Sequence, residues 1–403
     1  MSWPDVEFES IYASPSRNGI YKTKEFHGRG SRIVNMGEMF GYSFISNQDM
    51  KRVELSEREL ESNSLEDGDL LFGRRSLVEA GAGKCSLVVE PSDSLTFESS
   101  IIRVRLNKEA ANPRFLYYYF LSPQGRGRVR SIVSGTNVKG IRGSDLKRLP
   151  VASPPKCVQD AIAATLTTYD DLIETNQRRM ALLEESARLL YSEWFVRLRF
   201  PGHEHTRITD GMPEGWEQKT LGDVAHINQT NLGSTYDGEI EYIDIASVTP
   251  GAINETTPYD FRDAPSRARR VVCHGDIIWS CVRPNRRSHA VVWQPPENLV
   301  ASTGFAVITP ISLSTSFLYQ AVTTDLFVGY LENHAKGAAY PAVVAGDFER
   351  AKILVPSPVL SNAFNEFAEP LLTEAHNLRA QNQKLRAARD LLLPRLMSGE
   401  IAV

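Results

Sequence analysis

The sequence predicts an α+β protein that uses one plan twice: an α/β unit of about 150 residues, then a long helix, then both again. Three observations predict it. Apolar and small residues recur at Tyr169, Ile173, Asn176, Met180, Leu183, Ala187, Leu190 and Trp194. Their steps alternate between four and three residues, a heptad seam that neither a strand nor a loop produces. Adding 202 to each position gives Leu371, Ala375, Leu378, Asn382, Leu385, Arg389, Leu392 and Leu396, where the register survives although Asn382 and Arg389 are polar. The globular parts also match. Phe115-Leu116-Tyr117 answers to Phe317-Leu318-Tyr319, Gly135-Thr136-Asn137 to Gly337-Ala338-Ala339, and Pro154 to Pro356. Asp145-Leu146-Lys147-Arg148 answers to Asp347-Phe348-Glu349-Arg350. Asp67-Gly68-Asp69-Leu70 answers to His274-Gly275-Asp276-Ile277 at an offset of 207, a drift that a few inserted residues explain.

Residues 1–150 form the first unit. Arg32 to Met36 reads as a short buried strand, and Asp67-Gly68-Asp69 as a turn into a strand from Leu70 to Phe72. Ser99 to Leu106 alternates, with Ile102, Val104 and Leu106 on one face and Arg103 and Arg105 on the other. Pro113 opens a helix. Ser134 to Asn137 is a loop, Asp145 starts a short element, and Leu149 to Val151 is an edge strand. Residues 151–200 carry the first long helix. From Val158 to Phe195 it would span ~57 Å at ~1.5 Å per residue. So long a helix with one narrow apolar stripe needs a partner of matching length. Residues 201–352 repeat the plan after a linker-like stretch from Pro201 to Met212. Strands are expected at Glu241 to Ala246, Asp276 to Cys281 and Gly304 to Thr309, and a helix at Phe317 to Thr323. Residues 353–403 carry the second long helix, which Pro394 should kink or finish ahead of Gly399.

At 403 residues the chain exceeds one compact core, and its composition is that of a soluble protein. Met1 to Asp5 has no basic or apolar leader region, which predicts no signal peptide. No apolar run is long enough to span a membrane. Cys85, Cys157, Cys273 and Cys281 lack paired or metal-ligand spacing, which points to reduced thiols in the cytoplasm. The net charge of −4 hides its distribution. From Arg103 to Arg148 eleven Lys/Arg stand against Glu109 and Asp145, and from Arg262 to Arg287 seven Arg stand against Asp263 and Asp276. Two basic runs at equivalent places in two repeats suggest a polyanion partner.

Catalytic signatures are missing. Ser153-Pro154-Pro155-Lys156 and Gln294-Pro295-Pro296-Glu297 lack the aromatic residue that stacks on a flipped base in DNA methyltransferases. Gly81 to Ser86 fails as a phosphate-binding loop, because Val78 stands at its first glycine and Cys85 follows the lysine. His203-Glu204-His205 lies in the linker and reads as solvated. No catalytic residue, metal ligand or cofactor is expected.

With its C-terminal string Leu385 to Ile401, its Leu354-Val355-Pro356-Ser357-Pro358 and its Pro213-Glu214-Gly215-Trp216 with Leu221-Gly222-Asp223-Val224, the chain resembles the specificity subunit of type I restriction–modification systems. The resemblance covers almost the whole chain. It implies two tandem target recognition domains on two long helices that pair as an antiparallel coiled coil, with an internal pseudo-twofold repeat. It further implies a non-catalytic subunit that reads double-stranded DNA at a bipartite, asymmetric site. Two methyltransferase subunits and restriction (motor–nuclease) subunits would be its partners. A DNA methyltransferase with built-in recognition domains, or a coiled-coil scaffold that does not bind DNA, are the alternatives; cofactor binding and salt-dependent DNA binding separate them.

The DNA-facing groups nominated in the first unit are Lys22, Lys24, Arg74, Arg75, Arg126, Arg128, Arg130, Asn137, Lys139 and Arg142. In the second they are Arg267, Arg269, Arg270, Arg283, Arg286, Arg287, Lys336 and Tyr340. Most should touch phosphates, since base contacts are the minority. The helix-pair seam is assigned to Tyr169, Ile173, Met180, Leu183, Leu190, Trp194, Leu371, Leu378, Leu385, Leu392 and Leu396.

Overall fold

The structure is a computed structural model that describes residues 3–402. Met1, Ser2 and Val403 lie outside the described residues, so the leader reading at Met1 and Ser2 falls there. Six helices carry the argument: α1 (Pro113–Leu121), α2 (Pro123–Ser131), α3 (Lys156–Tyr191), α4 (Thr315–Thr323), α5 (Asp325–His334) and α6 (Pro358–Ser398). The chain folds as two compact units, residues 1–175 with 382–403, and residues 176–381. The division cuts α3 and α6, so each unit contains a stretch of both.

In the first unit a five-stranded sheet runs in the order Tyr12–Asn18, Ile101–Leu106, Leu70–Gly73, Cys85–Val88, Phe44–Ile45. Its first four strands are antiparallel and the last pair is parallel. A second sheet orders Arg52–Val53, His27–Val34 and Leu95–Phe97. The expected two-faced pattern of Ile101–Leu106 needs correction, because Arg103 is only 4% exposed. The chain after the helix Glu57–Asn63 covers that face. The Arg103 guanidinium donates to the Ser64 carbonyl at 3.0 Å, and Arg105 donates through Nε and Nη2 to buried Asp69 at 2.8 Å each. In α1 the Asn112 side chain accepts from the amides of Arg114 and Phe115, and Pro113 fills the first turn, where its missing N–H costs nothing.

The second unit repeats the order of the first four strands. Ala225–Ile227, Phe305–Pro310, Ile277–Ser280 and His289–Val291 form one antiparallel sheet. Thr257–Asp260, Glu239–Ile243, Leu299–Ser302 and Ala268–Val271 form the other. The strand expected from Glu241 is Glu239–Ile243. The linker-like stretch is partly ordered: Ile208–Thr209 pairs with Met212–Pro213. Local chemistry repeats along with topology. Asn112 and Ser314 cap α1 and α4, and Ser122 and Thr324 cap α2 and α5, each pair 202 residues apart. Asp69 accepts the Glu66 amide at 2.8 Å, and Asp276 accepts the Cys273 amide at 2.7 Å.

Among the heptad positions Ile173, Asn176, Ala187, Trp194, Ala375, Leu378, Asn382 and Leu396 are buried, and Tyr169, Met180, Leu183, Leu190, Leu371, Leu385, Arg389 and Leu392 are half-buried. Within the first unit Asn382 donates to the Ile173 carbonyl at 3.1 Å, and Arg389 pairs with Asp170. Within the second, Asn176 donates to Gln381 at 3.0 Å, Arg179 meets Glu374 at 3.1 Å, and Arg379 meets Glu184 at 2.9 Å. The stretches are antiparallel in each unit: partners run from Ile173 with Asn382 to Asp170 with Arg389 in the first, and from Asn176 with Gln381 to Trp194 with Phe364 in the second. Polar seam residues with partners fix register at some cost in stability.

The end of α3 widens into a π turn at Ser192–Val196, which turns both Trp194 and Phe195 inward. Of the two expectations for Pro394, ending the second helix fails, because α6 runs on to Ser398. Prolines 370 and 394 remove bonds only to the carbonyls of exposed Glu366 and Asp390, and packing of Leu393, Leu396 and Met397 into the first unit's core outweighs that loss. The helix stops at Gly399, whose φ is +75°.

Candidate nucleic-acid interface

The segments paired in sequence as Gly135-Thr136-Asn137 and Gly337-Ala338-Ala339 form the same closed loop. Ser134 and Gly140 exchange two backbone hydrogen bonds of 2.9 Å, and Lys336 and Ala342, each 202 residues on, do the same. Gly135 and Gly337 take φ of +106° and +104°. A Cβ at Gly135 would meet the Val138 carbonyl at 2.1 Å, and one at Gly337 the Tyr340 carbonyl at 3.0 Å, so both the turn and its tightness require glycine.

Each loop is stitched to a strand end that carries arginine. Lys139–Gly140 pairs with Arg75–Ser76, and the Ile141 amide donates to the Arg74 carbonyl at 3.0 Å. In the second unit the Arg283 amide donates to the Pro341 carbonyl at 2.7 Å, and Val343 to Cys281 at 2.9 Å. The structure therefore brings together Arg74, Arg75, Asn137 and Lys139 in one unit, and Arg283, Lys336 and Tyr340 in the other. Arg283 and Arg287 both adopt the left-handed region, with φ of +52° and +53°, on either side of the turn Pro284–Arg286. Non-glycine residues held there commonly mark functional sites. The Arg283 guanidinium stacks over the Tyr340 ring at 4.6 Å, and Tyr340 is 68% exposed. An arginine held flat on an aromatic ring loses little further freedom on meeting a planar partner.

Several nominated cations have partners inside the protein. Lys22 pairs with Glu59 at 2.8 Å and lies over the Phe26 ring. Arg74 donates to the Ser99 carbonyl at 3.2 Å. Arg126 donates to the carbonyls of Gly83 and Ala80, and burial lowers its pKa. Arg128 bridges Asp5 and the Pro150 carbonyl. Arg269 lies over the Phe261 ring, and Arg270 donates to Asn231 at 2.8 Å with its pKa lowered by burial. Arg287 pairs with Asp325. By contrast Lys24, Arg75, Arg130, Arg142, Arg267, Arg286 and Lys336 are exposed, with no ion pair among the described residues. The basic run from Arg103 to Arg148 is also less bare than its sequence, since Lys108 meets Asp67 and Lys147 meets Glu9.

Sequence reasoning missed an apolar cleft of about 350 Å³ beside the first loop, lined by Met36, Phe40, Leu77, Val78 and Val138 with Arg75 among them. Its only sequence signal is the position of Val138, 202 residues before Tyr340 in the repeated loop. Among the described residues no cluster of His, Cys, Asp or Glu could hold a metal ion, and no helix is long and apolar enough to cross a membrane.

Residues 17–185 match the family described as the type I restriction modification DNA specificity domain. The chain is 23% identical over 357 residues to the type I restriction enzyme MjaIX specificity subunit of Methanocaldococcus jannaschii, covering 82% of this chain and 83% of that one. The relatives it matches over most of their length are type I restriction specificity subunits. Over 174 residues it is 33% identical to the EcoKI specificity subunit of Escherichia coli K12, covering 42% of this chain and 37% of that subunit. The HindI specificity subunit of Haemophilus influenzae is 21% identical over 84% of this chain and 87% of its own length. The fold matches the crystal structure of a type I restriction–modification S subunit from M. genitalium with a TM-score of 0.61, at 18% identity, over 98% of this chain and 96% of that one. The repeated loops thus sit within a fold shared with that S subunit, and what distinguishes the two is their side chains.

Proposed function

We propose that this specificity subunit reads a two-part, asymmetric DNA sequence, one part through each repeated loop and its arginine-bearing strand end. It directs adenine methyltransferase and restriction (motor–nuclease) subunits to that site in the cytoplasm and carries out no chemistry itself. The observation that carries the reading is one backbone loop, closed by the same two hydrogen bonds in each unit, with different side chains on it. A repeat conserved in backbone and divergent in side chains suits two unlike half-sites read in one way. Functionally the chain divides into recognition domains at residues 1–150 and 201–352 and helical segments at 151–200 and 353–403. Exposed Arg75, Arg130, Arg142, Arg267, Arg286, Lys24 and Lys336 meet phosphates; Arg283, held on Tyr340, donates to the O6 and N7 of a guanine.

The paired helices set the distance between half-sites. The test is methylation mapping of the chain in complex with its methyltransferase. Two unlike half-sequences at a fixed spacing are expected. Four residues inserted after Asn176, ~6 Å of helix, should keep both halves and lengthen the spacer by one or two base pairs, since one pair spans ~3.4 Å. Methyl transfer by the chain alone, or an insertion mutant with full activity at the old spacing, would overturn the reading.

A further inference from the structure

We propose that the apolar cleft of the first unit receives the C5-methyl group of a thymine, so that the half-site read by this unit contains a T at the base pair facing Val138. The inference rests on the proposed DNA reading. Leu77 is 83% and Val78 54% exposed, and with Phe40 and Val138 they leave an apolar recess on the unit's surface. Such a recess needs an occupant with an apolar projection, and its surroundings say which. Arg75 lines it, the backbone of Lys139 pairs with Ser76, and Lys84 sits over the Phe40 ring at 5.0 Å and donates to the Phe40 carbonyl. Against these cations stands exposed Glu79. A cationic rim favours a polyanion. In the major groove the thymine methyl is the one apolar group on a base edge. The polar edges of guanine, adenine or cytosine would lose water in this recess without gaining a partner.

The second unit carries different side chains at the same place in its fold. There Tyr340 occupies the position of Val138 and lies under Arg283, which presents a guanidinium where the first unit presents methyl groups. The two loops therefore differ in the base they accept.

The test uses the full chain in complex with its methyltransferase and the sequence mapped for it. Each thymine of both half-sites, on either strand, is replaced in turn by deoxyuridine, which lacks only the methyl. Binding should fall about fourfold at one position of one half, the effect of losing one buried carbon. Leu77→Ser and Val138→Ser change exposed residues outside the core. Each should abolish that discrimination and leave every substitution in the other half unchanged. The proposal is overturned if no thymine responds, if the half-site read by the first unit contains none, or if both variants discriminate like the parent. In all three cases the DNA reading stands, provided the parent still prefers its mapped sequence. A complex without sequence preference would instead sink that reading.

Discussion

The two units grip the helix pair at equivalent places with different chemistry. In the second, Tyr191, Trp194, Phe195 and Phe364 close around Phe317 of α4 as one aromatic cluster. In the first, the packing is mainly aliphatic, with Leu393, Leu396 and Met397 against Ile162, Ala163 and Leu166. A polar network is added: the Tyr118 hydroxyl donates to Asp170 at 2.6 Å, and Asp170 also accepts from Arg389. The residues 202 positions away are Gln320, Leu372 and Ala187, all buried. One geometry thus tolerates two solutions. What the fold demands is a filled, satisfied contact, and ion pairs are one way to supply it.

The largest effect should come from the aromatic grip. Phe364→Ala removes a fully buried ring touching four others and should cost ~3–5 kcal/mol. Ile162→Ala at the equivalent aliphatic position should cost ~2–5 kcal/mol. Two units need not unfold together, so amide exchange followed separately in α1 and α4 is the suitable measurement. Each change should lower protection in its own unit. Equal loss in both units would erase the distinction.

Arg389→Ala comes next. It strands Asp170, a nearly buried carboxylate, and should cost about 3 kcal/mol in the first unit. The triple change Tyr118→Gln, Asp170→Leu, Arg389→Ala copies the other unit's solution and should recover stability to within ~1.5 kcal/mol of the parent. If the triple variant were as weak as the single one, the two grips would not be interchangeable solutions.

Much of this was legible in the sequence for a physical reason. Heptad spacing and turn residues are local signals, so the long helices, the 202-residue repeat and the loop glycines appear in the chain itself. Partners are not local. That Arg103 is buried, that Arg126 and Arg128 bond backbone carbonyls, and that Arg389 in the seam meets Asp170 depend on contacts between distant segments. Charge counting could not separate such arginines from exposed Arg75 or Arg286. Nor could it see the cleft at Val138, because exposed apolar residues look like core residues until the fold places them. Pro394 misled because a helix break was inferred from a missing donor, whereas packing of the following turn decides.

The recognition loops allow a finer comparison. Arg283→Ala should relax one base position of the second half-site, at ~1–3 kcal/mol of discrimination. Arg286→Ala should weaken binding on every sequence and flatten the salt slope by about one unit. Titrations on matched and singly mismatched duplexes at several salt concentrations separate the two. Swapped behaviour would assign the base contact to Arg286.

The smallest effect concerns the twin aspartates at the turns before Leu70 and Ile277. Asp69 is bound by Arg105, whose pKa this raises; among the described residues Asp276 has only the Thr309 hydroxyl, at 2.7 Å, and the Cys273 amide. Burial raises the pKa of Asp276 above the ordinary carboxylate value. The folded state therefore holds this proton more tightly than the unfolded state does. The resulting stability is fully present below the unfolded pKa of ~3.9 and is lost as pH rises through the folded value. Asparagine mimics the protonated acid: its Oδ1 can accept the Cys273 amide while its Nδ2 donates to Thr309. Asp276→Asn should thus change stability by less than ~1 kcal/mol and compare more favourably with the parent at neutral than at acid pH. Asp69→Asn should instead cost ~3 kcal/mol at neutral pH, because Arg105 loses its buried charged partner and keeps only exposed Glu66. Amide exchange of each unit at both pH values distinguishes them. Equal losses for the two asparagine variants at neutral pH would show that Asp276, like Asp69, is stabilised there as a charged group, and that the twin turns do not differ.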